Sequence, residues 1–90
     1  VRESIEETTV AEIGGVRVGM GNMTRGSYDA PDGPREGVIC SLALPGKVGV
    51  FVGLGSVIDI GGHPWTVVAI EKPPGERGEV TLERRPGLRG

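Results

Sequence analysis

Ninety residues with a net charge of −2 and a pI near 5.3 make one domain without an electrostatic footprint for nucleic acid, and a chain this short buries only about 60–65% of its unfolded surface. The single cysteine, Cys40, excludes an internal disulfide and points to a reducing, cytoplasmic setting. Val1-Arg2-Glu3-Ser4 has no apolar signal core, and the uncharged run from Val48 to Ile58 falls well short of the about 20 residues of a spanning helix, so no membrane association is expected.

Residues 8–13 read as the first strand, with Thr8, Val10 and Glu12 alternating against Thr9, Ala11 and Ile13. Ahead of it, Ser4 and Glu7 have the spacing of a capping box and fit one helical turn, while extension of the strand back to Ile5 fits equally well. Gly14-Gly15 offers a two-residue hairpin turn, because such turns require the positive φ that glycine tolerates. Val16, Val18 and Met20 then form the inward face of a second strand, with Arg17, Gly19 and Gly21 opposite.

Residues 24–36 hold two prolines, two glycines and two aspartates and are expected to form a long, flexible surface loop. Tyr28, Arg25 and Asp29 are its candidate contacts for a ligand or partner, and Tyr28 with Arg25 and Arg35 suits an anion or a partner, against the plain reading of a solvated loop. Asp29-Ala-Pro-Asp32-Gly33 lacks the alternating oxygen ligands and terminal glutamate of a calcium loop.

Residues 37–70 carry only two formal charges, Lys47 and Asp59, and organise the chain. A third strand over 37–44 places Val38, Cys40, Leu42 and Leu44 on one face, and Pro45-Gly46-Lys47 turns it. A fourth over 48–54 places Val48, Val50, Val52 and Leu54 inward and Gly49, Phe51 and Gly53 on the other face. Neither face is polar, so both are expected to be covered, by a second sheet, a loop or another subunit. A fifth strand over 56–60 passes through Gly61-Gly62 into a sixth over 64–71. After the Pro- and Gly-rich break at 72–78, the seventh, 79–85, alternates Val80 and Leu82 with Glu79, Thr81 and Glu83, a pattern expected of an edge strand; 86–90 is expected to be a frayed tail.

One internal echo stands out. Val10-Ala-Glu-Ile-Gly-Gly-Val-Arg-Val18 and Val57-Ile-Asp-Ile-Gly-Gly-His-Pro-Trp65 share a strand, a two-glycine turn and a strand, which suits equivalent hairpins of a pseudo-symmetric fold, although hairpin chemistry alone also selects Gly-Gly.

No constellation of catalytic residues is legible. His63, the only histidine, has no ligand partner at a recognised metal spacing, so no metal or other cofactor is expected. A Cys40 and His63 pair would need hydrogen-bond reach, and Cys40 sits mid-strand among apolar residues, where a thiol is an inert small hydrophobe. Trp65 reads as a core anchor needing an acceptor for its N–H, with ligand stacking as the functional alternative. Trp65, His63 and Phe51 join Tyr28, Arg25 and Asp29 as the candidate contact residues.

Gly55-Ser-Val-Ile-Asp-Ile-Gly-Gly-His-Pro-Trp-Thr-Val-Val-Ala-Ile70 and Val80-Thr-Leu-Glu-Arg-Arg85, with the Gly14-Gly15-Val-Arg-Val hairpin, resemble short, uncharacterised β-rich proteins of soil bacteria. The resemblance implies the fold and carries no activity or site.

The chain is therefore read as a single all-β domain over 1–90, a small sandwich or flattened barrel of about seven mostly antiparallel strands joined by hairpins. Three aromatics against 17 glycines imply a small-side-chain core, which favours completion by a neighbour and hence a homo-oligomer. The expected function is a non-catalytic accessory or interaction domain acting through oligomer or protein-partner contacts. The alternative is a small β-barrel enzyme or carrier for an apolar small molecule, without metal or nucleophile. An SH3-like nucleic-acid module is a third and weaker reading, opposed by the acidic pI and the few aromatics.

Overall fold

The computed structural model describes residues 1–84, and within them every side chain except those of Lys47 and Val48. The expected tail at 86–90, Arg85 at the end of the seventh strand and the inward placement of Val48 lie outside the described residues. Among the described residues there are eight strands: β1 (Arg2–Glu6), β2 (Val10–Ile13), β3 (Val16–Ala30), β4 (Gly33–Leu44), β5 (Lys47–Gly53), β6 (Val57–Ile60), β7 (His63–Glu71) and β8 (Glu79–Arg84). They form two four-stranded antiparallel sheets, β1-β8-β7-β6 and β2-β3-β4-β5, packed as a sandwich rather than a closed barrel.

The connectivity is that of two meanders. The second sheet takes β2 to β5 in chain order; the first takes β6 to β8 in order and is completed by β1 beside β8. The two sequence-similar hairpins, β2-β3 and β6-β7, thus open equivalent meanders. Both turns hold two glycines at positive φ, 58° and 79° at Gly14 and Gly15, 63° and 86° at Gly61 and Gly62, the combination whose twist matches the flanking strands. The turns also touch each other: a Cβ on Gly61 would lie 2.9 Å from Val16 Cγ2, and one on Gly14 would lie 3.1 Å from Trp65 Cζ2.

Alternation fills the space between the sheets. Ile13, Val18, Cys40, Leu42, Val80 and Leu82 are fully enclosed, and Ile5, Val52, Ile60, Trp65 and Val67 nearly so. Trp65 is the largest of them and, in a chain with so few rings, replaces several aliphatic contacts at once.

Four expectations are corrected. Residues 24–36 are not a loop: β3 and β4 pair from Thr24 opposite Ile39 out to Ala30 opposite Gly33, leaving Pro31 and Asp32 as the turn. Pro31 supplies a turn corner and Pro34 lies beyond the end of β5, where β4 is an edge and a missing N–H is tolerated. The last strand is not an edge: β8 lies between β1 and β7. Its charged residues face solvent across the sheet, where Arg2 pairs with Glu83 at 3.0 Å and Ser4 bonds Thr81 at 3.0 Å; alternation reports a wet face and is blind to whether both flanks are paired. Leu54 is 46% exposed rather than inward, because β5 ends at Gly53. At the N-terminus neither alternative holds: the chain turns at Glu7 and Thr8, with Thr8 at φ 60°, so that residues 2–6 form a separate strand in the other sheet and the strand expected from Thr8 begins at Val10.

Candidate interaction surface

The outward residues of the second sheet form rows set by strand register. Val10 stands opposite Gly19 and Gly19 opposite Ala43; Ser41 stands opposite Phe51. A Cβ on Gly21 would lie 2.5 Å from Ser41 Oγ, which places that glycine in the second row. The centre of the face is therefore a floor of Gly19, Gly21, Ser41 and Ala43, walled by Val10 on one edge strand and Phe51 on the other. Val10 is 61% and Phe51 59% exposed. An open hollow of about 430 Å³ lies over this floor, and among the described residues none that lines it carries a charge. The expectation that both faces of β4 and β5 are covered is met on the core side and, on the outer side, only where Tyr28 lies.

Tyr28 lies on that same outer face. Its ring packs flat on the glycine at the end of β5, where a Cβ on Gly53 would come within 2.5 Å of the ring, and its hydroxyl donates to the Leu54 carbonyl at 2.8 Å. Arg35, opposite Tyr28 in register, donates to the same carbonyl at 3.2 Å and to Asp32 Oδ2 at 2.8 Å. That ion pair lowers the Asp32 carboxyl and raises the Arg35 guanidinium from their ordinary values. Ser56 completes the latch, accepting from the Gly53 N–H and donating to the Asp29 carbonyl, both at 3.0 Å. Tyr28, Asp29 and Arg35 thus pin the distal hairpin to the β5-β6 connection.

The six candidate contact residues separate in space. Phe51 and Tyr28 share the outer face of the second sheet. Arg25, opposite Val38 and next along the strand from Thr24, points to the other side of the ribbon and is exposed. Asp29 is exposed beside the β3-β4 turn and contributes its backbone carbonyl to the latch. His63 is exposed beside Gly62 in the first sheet. Trp65 is 1% exposed inside the core, and its indole Nε1–H has no acceptor among the described residues.

Cys40 is wholly enclosed, and burial, with the charge of Glu7 adding, pushes its thiol up to about 11. Such a group is neither a thiolate nucleophile nor a ready metal ligand. Among the described residues no group of three His, Cys, Asp or Glu side chains is placed to hold a metal ion, and no helix is long and apolar enough to cross a membrane.

Glu7 was not singled out in the sequence, where it appeared only as a capping-box partner. Its side chain is buried in the corner between β1 and β2. Its carboxylate accepts from the Lys72 ammonium, from the Gly78 N–H at 2.9 Å and from the Met23 N–H at 2.9 Å. The Lys72 bond, followed by the two amides, lowers its pKa from 4.5 to about 2. A carboxylate held ionised by three donors is a poor general base, and its chemistry here is cross-linking: it joins the chain corner, β3 and the β7-β8 connection. Gly78 permits this approach, since a Cβ there would strike Met23 Sδ at 2.3 Å. Gly19 was placed opposite the inward face without a role, and the floor residues Ser41 and Ala43 were not singled out; their only signal is the alternation of small residues on one face of β3 and β4.

No family model, curated protein or solved structure matches the chain.

Proposed function

We propose that this chain is a non-catalytic protein-interaction domain that works through the outer face of its second sheet, in a reducing, cytoplasmic setting supported by the lone buried thiol of Cys40. The observation that carries the reading is the uncharged, small-residue floor between exposed Val10 and exposed Phe51. A partner covering that face removes two large apolar side chains from water, and the glycines let its backbone or side chains approach closely.

A carrier for an apolar small molecule has less support. A second open hollow of about 400 Å³ lies between the Gly61-Gly62 turn and the start of the β4-β5 turn, beside Val16, Leu44 and Pro45, but Trp65, whose alternative reading is ligand stacking, is packed into the core behind Gly14.

The test is a photo-crosslinking residue at position 51, compared in cell extract with the same residue at exposed position 76. Discrete adducts formed at 51, absent at 76 and abolished by Gly19→Leu support the proposal. Equal labelling at both positions overturns it.

A further inference from the structure

We infer that the occupant of this face is a second copy of the chain, docked about a two-fold axis so that Phe51 of each copy seats over the Gly19 and Gly21 floor of the other. The inference rests on the interaction reading above and names its partner. A two-fold contact uses one patch on both copies, so that patch must contain both the projecting and the receiving element. The second sheet carries them side by side: Phe51 projects from β5, and the hollow of about 430 Å³ opens over β3 and β4.

Charge favours the same partner. A self-contact brings each charge near its own copy or that of a neighbour, and the described residues lining the hollow carry none in a chain whose net charge is −2. At the border of the patch, Glu12 and Arg17 stand opposite each other with opposite signs, so a symmetric partner meets a neutral pair rather than a like charge.

Area sets the class of contact. β2 contributes 4 residues and β5 contributes 7. With about nine each from β3 and β4, at about 3.4 Å per residue and about 4.8 Å between strands, the face measures on the order of 500 Å². A symmetric contact thus removes on the order of 1,000 Å² in total, the threshold of specific interfaces and the range of reversible ones. A contact of this size belongs to the reversible class, so its association is sought across the micromolar range.

Sedimentation equilibrium from about 1 μM to about 500 μM reads this directly. The wild-type chain shifts from monomer to dimer across that range. Phe51→Asp and Gly19→Leu each raise the dissociation constant at least about tenfold while leaving the thermal midpoint of the dilute protein in place. Gly19 suits the test because its φ is not positive and a Cβ there meets Ala43 Cβ and Val10 Cγ2 at an ordinary 3.7 Å. In purified protein mixed with isotope-labelled chain, a crosslinker at 51 joins peptides holding positions 19–21 or 41–43 of another copy. A monomer throughout the range, or a dimer indifferent to both substitutions, overturns the inference. If the 51-specific adducts in extract persist on a different protein, the interaction reading survives with that partner; if those adducts are also absent, both fall.

Discussion

At the scale of single residues, Glu7 and Trp65 are the two most consequential side chains and they differ in how their polar atoms are treated. Glu7 titrates near pH 2 in the folded chain against an ordinary 4.5, so its ionised form is the one the fold stabilises. That contribution is complete above about pH 4.5 and is lost as pH falls toward 2. Urea midpoints measured from pH 7 down to pH 2 should fall more steeply for the wild type than for Glu7→Gln, which starts lower at neutral pH and follows a flatter acid limb; parallel curves would remove Glu7 as the cause. Trp65 is buried, and its Nε1–H has no acceptor among the described residues. Trp65→Ala should cost about 3–5 kcal/mol by leaving a cavity, whereas Trp65→Phe should cost well under half of that, because it also removes an orphaned donor whose desolvation is unfavourable by about 1–3 kcal/mol. Thermal or urea denaturation of the pair decides it.

At the scale of elements, the distal half of the β3-β4 hairpin is the feature that depends most on contacts far apart in the chain. Its composition, with Asp29, Pro31, Asp32, Gly33 and Pro34, is that of a loop. It is a paired ribbon because Tyr28 lies across Gly53 and bonds Leu54, and because Arg35 and Ser56 tie the same regions together. Gly53→Val should therefore destabilise by about 1–3 kcal/mol by displacing the ring. In a Tyr28→Ala background the same change should cost little, and a double-mutant cycle by chemical denaturation should show coupling of at least about 1 kcal/mol. Additive costs would mean that Tyr28 does not hold the ribbon. The hairpins β2-β3 and β6-β7 were readable because their turns are local: two glycines with positive φ set register without outside help.

At the scale of the whole molecule, the N-terminal strand completes the sheet begun by β6, so that β8 is paired on both flanks. Native-state hydrogen exchange should find consecutive amides from Val80 to Glu83 protected to the level of global unfolding. Fast exchange at alternate positions would indicate an unpaired flank and contradict the topology. The same arrangement leaves β2, β5, β1 and β6 as the four sheet edges, and β2 and β5 are the strands that carry the two walls of the proposed docking face.

The sequence alone determined the all-β class, both Gly-Gly hairpins, the inward faces of β3, β4 and β8 and the burial of Cys40, since each follows from a period of two residues or from a turn a few residues long. It also named Phe51 as lying opposite the core face of β5. Only the tertiary structure decided that 24–36 is paired, that β1 shields β8, that Glu7 is enclosed by donors from β3 and the β7-β8 connection, and that Val10, Gly19, Ala43 and Phe51 share one face. Those outcomes depend on which strands become neighbours, and neighbour choice is set by contacts tens of residues apart, for which the local pattern of polar and apolar side chains carries no register.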